Sequence, residues 1–192
     1  MKSEKKRLLN VKSIVLLLCM FAGVFVVSCP VHAASKSSRA KKAYSSYYKK
    51  NLTEKKYPDR YKKLYDINQD GVPEMILSYM NGVRYGYKIY TYRSGKVKCM
   101  KTFIGGCGIY YKKSKKRIAV MQSGGAADNV CTIYKMEKGK LKKVVAYRSE
   151  SVYTGNDLKI IYYKNKTKIS ENSYRKYVDD IYSNWKYMKL YK

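Results

Sequence analysis

The stretch IYTYRSGKVKCM, from Ile89 to Met100, decides the fold because it has the composition of two strands around a turn. Aromatic and β-branched residues flank Ser94-Gly95, and glycine supplies the positive φ that a two-residue hairpin loop needs. A related stretch, IYKMEKGKLKKV, follows from Ile133 to Val144, with five of the 12 positions identical. The pattern predicts two β-hairpins. An ancient duplication and two separate hairpins of similar composition both explain the match.

Hydrophobic periodicity on both sides of these hairpins predicts the remaining elements. Apolar residues spaced by three and four predict helices from Ser38 to Leu52 and from Ser170 to about Trp185. Runs from Met75 to Met80 and from Val83 to Tyr92 predict strands on either side of a turn at Asn81-Gly82. We therefore expect an α+β fold, mainly an antiparallel β-meander or a sandwich of hairpins, flanked by an N-terminal and a C-terminal helix.

The first 33 residues have the layout of a secretory signal peptide. Lysine and arginine precede an uncharged apolar run from Ile14 to Val27, which is shorter than the roughly 20 residues of a membrane-spanning helix. Small residues before the junction predict cleavage after Ala33, which leaves residues 34–192 as a single secreted domain without a transmembrane segment. In the alternative interpretation, the segment ending at Cys29 resembles a bacterial lipobox, and lipidation of Cys29 anchors the protein on the outer face of the cell membrane.

The composition is strongly basic, with 42 Lys and Arg against 13 Asp and Glu. Removal of residues 1–33 leaves a formal charge of +25 on 159 residues, a length that can build one core without covalent staples. Such a charge attracts polyanions. Because export removes the genome as a partner and the basic residues are scattered along the sequence, we expect no nucleic-acid binding. Teichoic acid, anionic headgroups or acidic polysaccharide are the expected partners if the charge binds a ligand. The stronger explanation of the charge is a solvated lysine-rich surface that keeps an exported monomer soluble.

Histidine chemistry is excluded from the mature chain, because the only histidine, His32, lies inside the predicted signal. Nucleophile pairs, general bases and zinc motifs that use histidine are therefore absent. Asp179 and Asp180 form a close acidic pair, but adjacent residues of a helix point about 100° apart. We expect no enzyme.

Three cysteines remain after the predicted cleavage: Cys99, Cys107 and Cys131. An odd number leaves one thiol unpaired within a monomer. A disulfide that joins Cys99 and Cys107 across a hairpin and a set of three buried free thiols are both open.

The stretch DINQDGVPE, from Asp66 to Glu74, alternates oxygen-bearing side chains around a glycine. When alternate residues face inward, these oxygens converge as calcium ligands do. The predicted ligands are Asp66, Asn68, Asp70, the carbonyl of Val72 and Glu74. No Lys or Arg occurs from Leu64 to Val83, which favours an ion site over a plain turn rich in Asp and Asn. At a dissociation constant of about 0.1 mM, 1 mM calcium would stabilise the fold by about 1.4 kcal/mol.

This loop resembles the DxDxDGxx[DE] calcium loop of FG-GAP blades in integrin-type propellers and of VCBS-like repeats. Asn68 replaces the second aspartate, and Leu77 stands where an EF-hand loop would end in a bidentate glutamate. The resemblance implies a structural Ca²⁺ held by the five residues named above. More broadly, the order of tyrosine-rich helix, loop, hairpins and terminal helix is similar to small secreted proteins of Gram-positive bacteria.

Two glycine-rich stretches, residues 104–108 and 123–129, match no phosphate-loop pattern and are predicted to be hairpin connections. Ser123, Asp128 and Asn129 of the second stretch are candidates for a ligand-binding rim, since binding residues concentrate on loops. Together these features indicate an exported or cell-surface, calcium-stabilised, non-catalytic binding module for an anionic or carbohydrate ligand of the cell envelope or the host. The alternative is a secreted hydrolase, or a hydrolase inhibitor, that uses the glycine-rich loops.

Overall fold

The computed structural model describes residues 29–125, 127–155 and 157–191, with side chains from Lys36 onward except that of Cys107. The apolar run of the predicted signal and the side chains of Cys29 and Ala33 lie outside this description. The described residues from Ser37 onward form one compact unit. In the described part of the chain, no helix is long and apolar enough to cross a membrane.

The described residues form two α-helices and ten β-strands. The helices are α1 (Cys29–Asn51) and α2 (Glu171–Asn184). The strands are β1 (Tyr61–Tyr65), β2 (Glu74–Asn81), β3 (Arg84–Arg93), β4 (Lys96–Lys112), β5 (Arg117–Ser123), β6 (Asn129–Glu137), β7 (Lys140–Thr154), β8 (Asp157–Lys164), β9 (Thr167–Ile169) and β10 (Lys186–Tyr187).

Strands β1 to β9 lie in the sheet in chain order, each antiparallel to the next, and β10 pairs with β4. The α+β class and the dominance of antiparallel sheet are confirmed. The C-terminal helix agrees with its prediction to within a residue, because the Ser170 hydroxyl caps it by accepting from the Ser173 amide at 3.2 Å. The N-terminal helix is described from Cys29 and so includes at least nine residues before the predicted start at Ser38.

Both predicted hairpins form, and they match in backbone detail. The turn residues Ser94-Gly95 and Lys138-Gly139 all have positive φ, as the twist of a tight hairpin requires. The pairing shifts register after Ile89 in the first hairpin and after Ile133 in the second. Since Ile89 and Ile133 are equivalent in the sequence match, the similarity extends from residue type to the position of a β-bulge.

The first glycine-rich stretch, residues 104–108, lies inside β4 and divides it into two parts that pair with different strands. β4 pairs with β3 up to Gly106 and with β5 from Gly106 onward, and the register is irregular between Gly106 and Gly108. A Cβ atom on Gly106 would lie 2.2 Å from the ring of buried Tyr87, so the backbone approaches this ring more closely than any other residue type would permit. The prediction that residues 104–108 connect a hairpin is therefore wrong, because this stretch is the bend within one long strand.

Residues from both halves of the sheet share one central core. Ile76 and Ile89 from the first half belong to the same buried cluster as Val120 and Met136 from the second half. Hydrogen bonds also join the halves directly: Arg93 Nη1 donates to the Lys138 carbonyl at 2.6 Å, between the turns of the two matching hairpins.

The two helices cover the other face of the sheet. In α1, Ala40 and Tyr44 pack against a cluster that includes Leu77 of β2. In α2, Val178 and Ile181 pack against a cluster on β5 to β7. Each helix therefore buries one apolar stripe, as amphipathic helices on a sheet do.

The two described cysteine side chains are free thiols, Cys99 exposed and Cys131 buried. Burial raises the pKa of Cys131 to about 12, so its thiol stays neutral. Cys99 and Cys107 both lie on β4. The predicted alternative that they face each other across a hairpin is wrong, because residues of one strand do not pair with each other.

Candidate functional site

The oxygen-rich loop joins β1 to β2, directly beyond the pair formed by Tyr65 and Glu74. Its side chains fold back onto its own backbone. The Asp66 carboxylate accepts from the amides of Asp70 at 3.1 Å and Gly71 at 2.9 Å. Gly71 adopts a φ of 81°, which only glycine takes without strain. The glycine turn predicted from the sequence is therefore what closes the loop.

Glu74 is the unusual residue of the loop, because its carboxyl is buried with only 1% of the residue exposed. One carboxyl oxygen accepts from the Ile67 amide at 3.0 Å. Burial, reinforced by the neighbouring carboxylates of Asp70 and Asp66, raises the pKa of Glu74 to about 8. Among the described residues, none of these three acids forms an ion pair. Three acids thus share one small loop without a cation.

The donor set fits a hard cation that prefers oxygen. No group of three or more His, Cys, Asp or Glu side chains among the described residues is arranged to hold a metal ion, but the predicted set also draws on the Asn68 amide and the Val72 carbonyl. The Asp66 and Asp70 oxygens retain lone pairs beyond the hydrogen bonds they accept. A buried carboxyl beside two further acids is costly unless a proton or a cation neutralises it. Calcium with these five ligands stays a prediction, and it would neutralise the loop without catalysing a reaction.

Two hydrogen bonds fasten the loop to the end of β4 and to the turn that follows it. The Tyr111 hydroxyl donates to the Asp66 carbonyl at 3.1 Å, and the Gln69 side chain donates to the Lys113 carbonyl at 2.6 Å. Both link positions more than 40 residues apart, which sequence patterns do not indicate. The loop is therefore held in place by the second half of the sheet.

The three residues of the predicted ligand rim have different surroundings. The Ser123 carbonyl accepts from Arg84 at 2.9 Å at one end of β5. The Asp128 carboxylate accepts from the Ser151 amide at 2.6 Å and so holds the start of β6 to β7. Asn129 lines a cleft beside α2, together with Ser149. The ligand rim stays a prediction, and of its three members only Asn129 borders this cleft.

The cleft between α2 and strands β5 to β8 has a volume of about 400 Å³. Its walls include the aromatic rings of Tyr162 and Tyr174, whose centroids lie 4.9 Å apart. Arg175 and Asp179 contribute charge at its border. Sequence analysis missed this cleft, although Ile160 and Tyr162, which both line it, alternate along β8.

A row of four cations crosses the sheet near the end of α2. Lys112 of β4 pairs with Arg117 of β5, Arg117 pairs with Lys135 of β6, and Lys135 pairs with Lys142 of β7. We call these four residues the cation row. The expectation that basic residues are merely scattered is wrong here, because the strand register brings together positions up to 30 residues apart.

Comparisons of this chain with protein-family models, with curated proteins and with solved structures found no match. The functional interpretation therefore depends on the geometry of the loop, the cleft and the cation row.

Proposed function

We propose that this chain is an exported, calcium-stabilised, non-catalytic binding module for an anionic or carbohydrate polymer of the cell envelope or the host. In this proposal the signal peptide ends at Ala33, and lipid anchoring through Cys29 is the alternative mode of retention at the cell surface. The ion braces the junction between β1 and β2, and the basic surface binds the ligand.

The observation that carries the ion site is the buried carboxyl of Glu74 beside Asp66 and Asp70. A plain turn rich in Asp and Asn has no need to direct a glutamate from the following strand into its interior. A cation held at this point would offset the repulsion among three acids and the burial of one of them. It would also stiffen a loop that is fastened to both halves of the sheet.

The observation that supports an anionic ligand is the excess of 42 basic over 13 acidic residues. Some of the basic side chains lie close to one another although they repel each other. Arg60 and Lys62 both lie over the ring of Tyr48, at 4.4 and 4.5 Å from its centroid. Burial, and then the nearby charges of Lys49 and Arg60, lower the pKa of Lys62. Bound oxyanions would relieve such repulsion.

Thermal unfolding tests the ion site. The unfolding midpoint is measured for the native protein and for Asp70→Ala, each with calcium and with EDTA. The calcium concentration is 2 mM, about twice the assumed 1 mM level. We expect calcium to raise the midpoint of the native protein and not that of the variant. Identical curves under all conditions would contradict the calcium site and leave only an ordinary turn.

Binding measurements test the ligand class. Inorganic polyphosphate and poly(glycerol phosphate) serve as phosphate-bearing polymers, and a neutral glucan serves as the comparison. We expect affinity for the two anionic polymers that weakens steeply with added salt, since counterion release dominates such binding. Binding to the neutral glucan alone would replace the anionic ligand with a carbohydrate, and binding to none of the three would overturn the proposed module.

A further inference from the structure

The cation row places like charges directly opposite each other on four adjacent strands. Directly paired residues of an antiparallel sheet share one face, with Cβ atoms about 4.5–5.5 Å apart. Like charges in such pairs destabilise the sheet. The row contains three such contacts in succession, Lys112 with Arg117, Arg117 with Lys135, and Lys135 with Lys142. The isolated protein therefore carries a repulsion that three substitutions by neutral residues would remove.

Acidic neighbours neutralise the row only in part. Glu137 forms ion pairs with Lys135 at 3.1 Å and with Lys142 at 2.9 Å, and Asp180 lies 3.9 Å from Lys112. Among the described residues Arg117 has no ion pair. Two carboxylates thus neutralise only part of the charge of the four cations.

Arg117 also has an unsatisfied donor at the centre of the row. Its Nε atom is buried and has no hydrogen-bond partner, and it is the one side-chain nitrogen or oxygen in the described part of the chain with this property. A buried donor without an acceptor costs free energy in the unliganded protein. Arg117 as a whole is only half-buried, so a ligand would contact the exposed part of its guanidinium group and not this atom. The guanidinium group is suited to an anionic ligand, because its planar fork binds the oxygens of phosphate in pairs.

The turn between β4 and β5 extends the positive charge beyond the row. Lys113, Lys115 and Lys116 lie in this turn and are exposed. Lys116 adopts a left-handed φ of 49°, which ends the short 3₁₀ turn and directs the chain into β5. The turn therefore places three exposed lysines next to Lys112 and Arg117 in the chain.

We propose that the cation row binds an extended polymer that carries successive phosphate groups and crosses the strands from β4 to β7. This proposal depends on the proposed function and names its ligand class and its site. Three strand spacings of about 4.8 Å give the row a length of about 14 Å, enough for several charges of one chain. A linear polymer fits better than a membrane surface, because Glu137 and Asp180 border the row and would be pressed against anionic headgroups.

Two triple variants with equal loss of charge provide the test. The row variant is Arg117→Gln, Lys135→Gln and Lys142→Gln, and the control is Lys159→Gln, Lys166→Gln and Lys168→Gln on the exposed surface of β8, β9 and their connection. Binding of polyphosphate and of poly(glycerol phosphate) is measured over a range of salt concentrations. We expect the row variant to bind about tenfold more weakly or worse, and the control to lose less than about threefold. The slope of log affinity against log salt should become shallower by roughly two to three in the row variant.

Two further measurements separate binding from folding. The row variant should unfold near the temperature of the native protein, because the like-charge contacts that it removes offset the two ion pairs lost from Glu137. If replacement of Arg117 lowers stability, the pair Lys135→Gln and Lys142→Gln, whose side chains are exposed, repeats the test. Arg117→Lys keeps the charge but removes the guanidinium fork, and it should weaken binding of both polymers.

The outcomes distinguish this site from the wider function. Equal losses in the row variant and the control, with binding by the native protein intact, would overturn the site and leave the anionic module standing. No binding of either polymer by the native protein would overturn this site and the anionic ligand, and the proposed module as well if the neutral glucan also fails to bind. Anionic phosphatidylglycerol vesicles that bind as tightly as the polymers, and equally to both triple variants, would overturn the preference for a linear chain.

Discussion

Replacement of Glu74 by glutamine tests whether the buried, ionisable carboxyl of the oxygen-rich loop destabilises the calcium-free protein. Glutamine keeps the shape of the side chain and an oxygen that can accept from the Ile67 amide, but it removes the titratable proton. Without calcium, the pKa of Glu74 is about 8 in the native state and 4.5 in its ordinary range. The unfolded chain therefore loses this proton first as pH rises, so the stability of the calcium-free protein falls between about pH 4.5 and 8.

The size of this effect follows from the same two pKa values. At pH 7.5, keeping Glu74 protonated in the native state costs on the order of 4 kcal/mol relative to the unfolded chain. A buried amide recovers only part of this cost, because its second polar atom also needs a partner. Even about 1 kcal/mol would raise the unfolding midpoint by roughly 2–4 °C for a chain of this size. We expect Glu74→Gln to be more stable than the native protein in EDTA at pH 7.5.

The assay is thermal unfolding at several pH values between 5 and 8 (roughly the window between the two pKa values), in EDTA and in calcium. Calcium should raise the midpoint of the native protein and leave that of Glu74→Gln unchanged, which reduces the stability advantage of the variant. Glu54→Gln is the matched control, because Glu54 is exposed and pairs with Arg60 at 3.1 Å outside the loop. A glutamine variant that is less stable than the native protein in EDTA at every pH would refute the reasoning about burial. A variant that keeps the full calcium response would remove Glu74 from the ligands.

Three other predictions concern the core and its titrating groups. Gly106→Ala should destabilise the fold by about 1–3 kcal/mol, because its Cβ would overlap the buried Tyr87 ring. Chemical denaturation measures this loss. In the double variant with Tyr87→Leu, the two losses should not be additive, because the smaller side chain removes the overlap. In the native protein a thiol reagent should modify Cys99 quickly and Cys131 only as fast as the protein unfolds, whereas equal rates would contradict the burial of Cys131. Burial raises the pKa of Tyr147 to about 12. As pH rises, this tyrosine therefore ionises first in the unfolded chain, and the stability of the fold should fall between about pH 10 and 12. A single tyrosinate absorbance transition near pH 10, with the fold intact, would refute this.

The hairpins could be predicted from sequence because their information is local. A glycine at Gly95 or Gly139 fixes the turn, and the residues on both sides must then pair in one register. Helix α2 was predictable for the same reason, since Ser170 and the apolar spacing mark its start and its buried face. The glycine closure of the loop at Gly71 belongs to this class as well.

The features that sequence analysis missed depend on which distant strands become neighbours. Gly105 and Gly106 look like a loop because no local signal separates a bend within a strand from a connection between two strands. The cation row requires the register of three strand pairs at once, and a shift of one residue in any of them would turn its charges to the opposite face. The burial of Glu74 arises in the same way, from packing that the loop motif does not contain.

The sequential order of the strands has a consequence for how the chain acquires its structure. Every strand up to β9 finds its partner in the segment that precedes it, so pairing can advance from the first strands onward at a small loss of loop entropy. The exception is the last segment. Lys186 and Tyr187 pair back to β4, the Met188 amide donates to the Ile109 carbonyl at 2.8 Å, and the Ser78 hydroxyl donates to the Leu190 carbonyl. The earlier strands can therefore pair in chain order, but the central core is complete only when Met188 and Leu190 of this last segment pack into it.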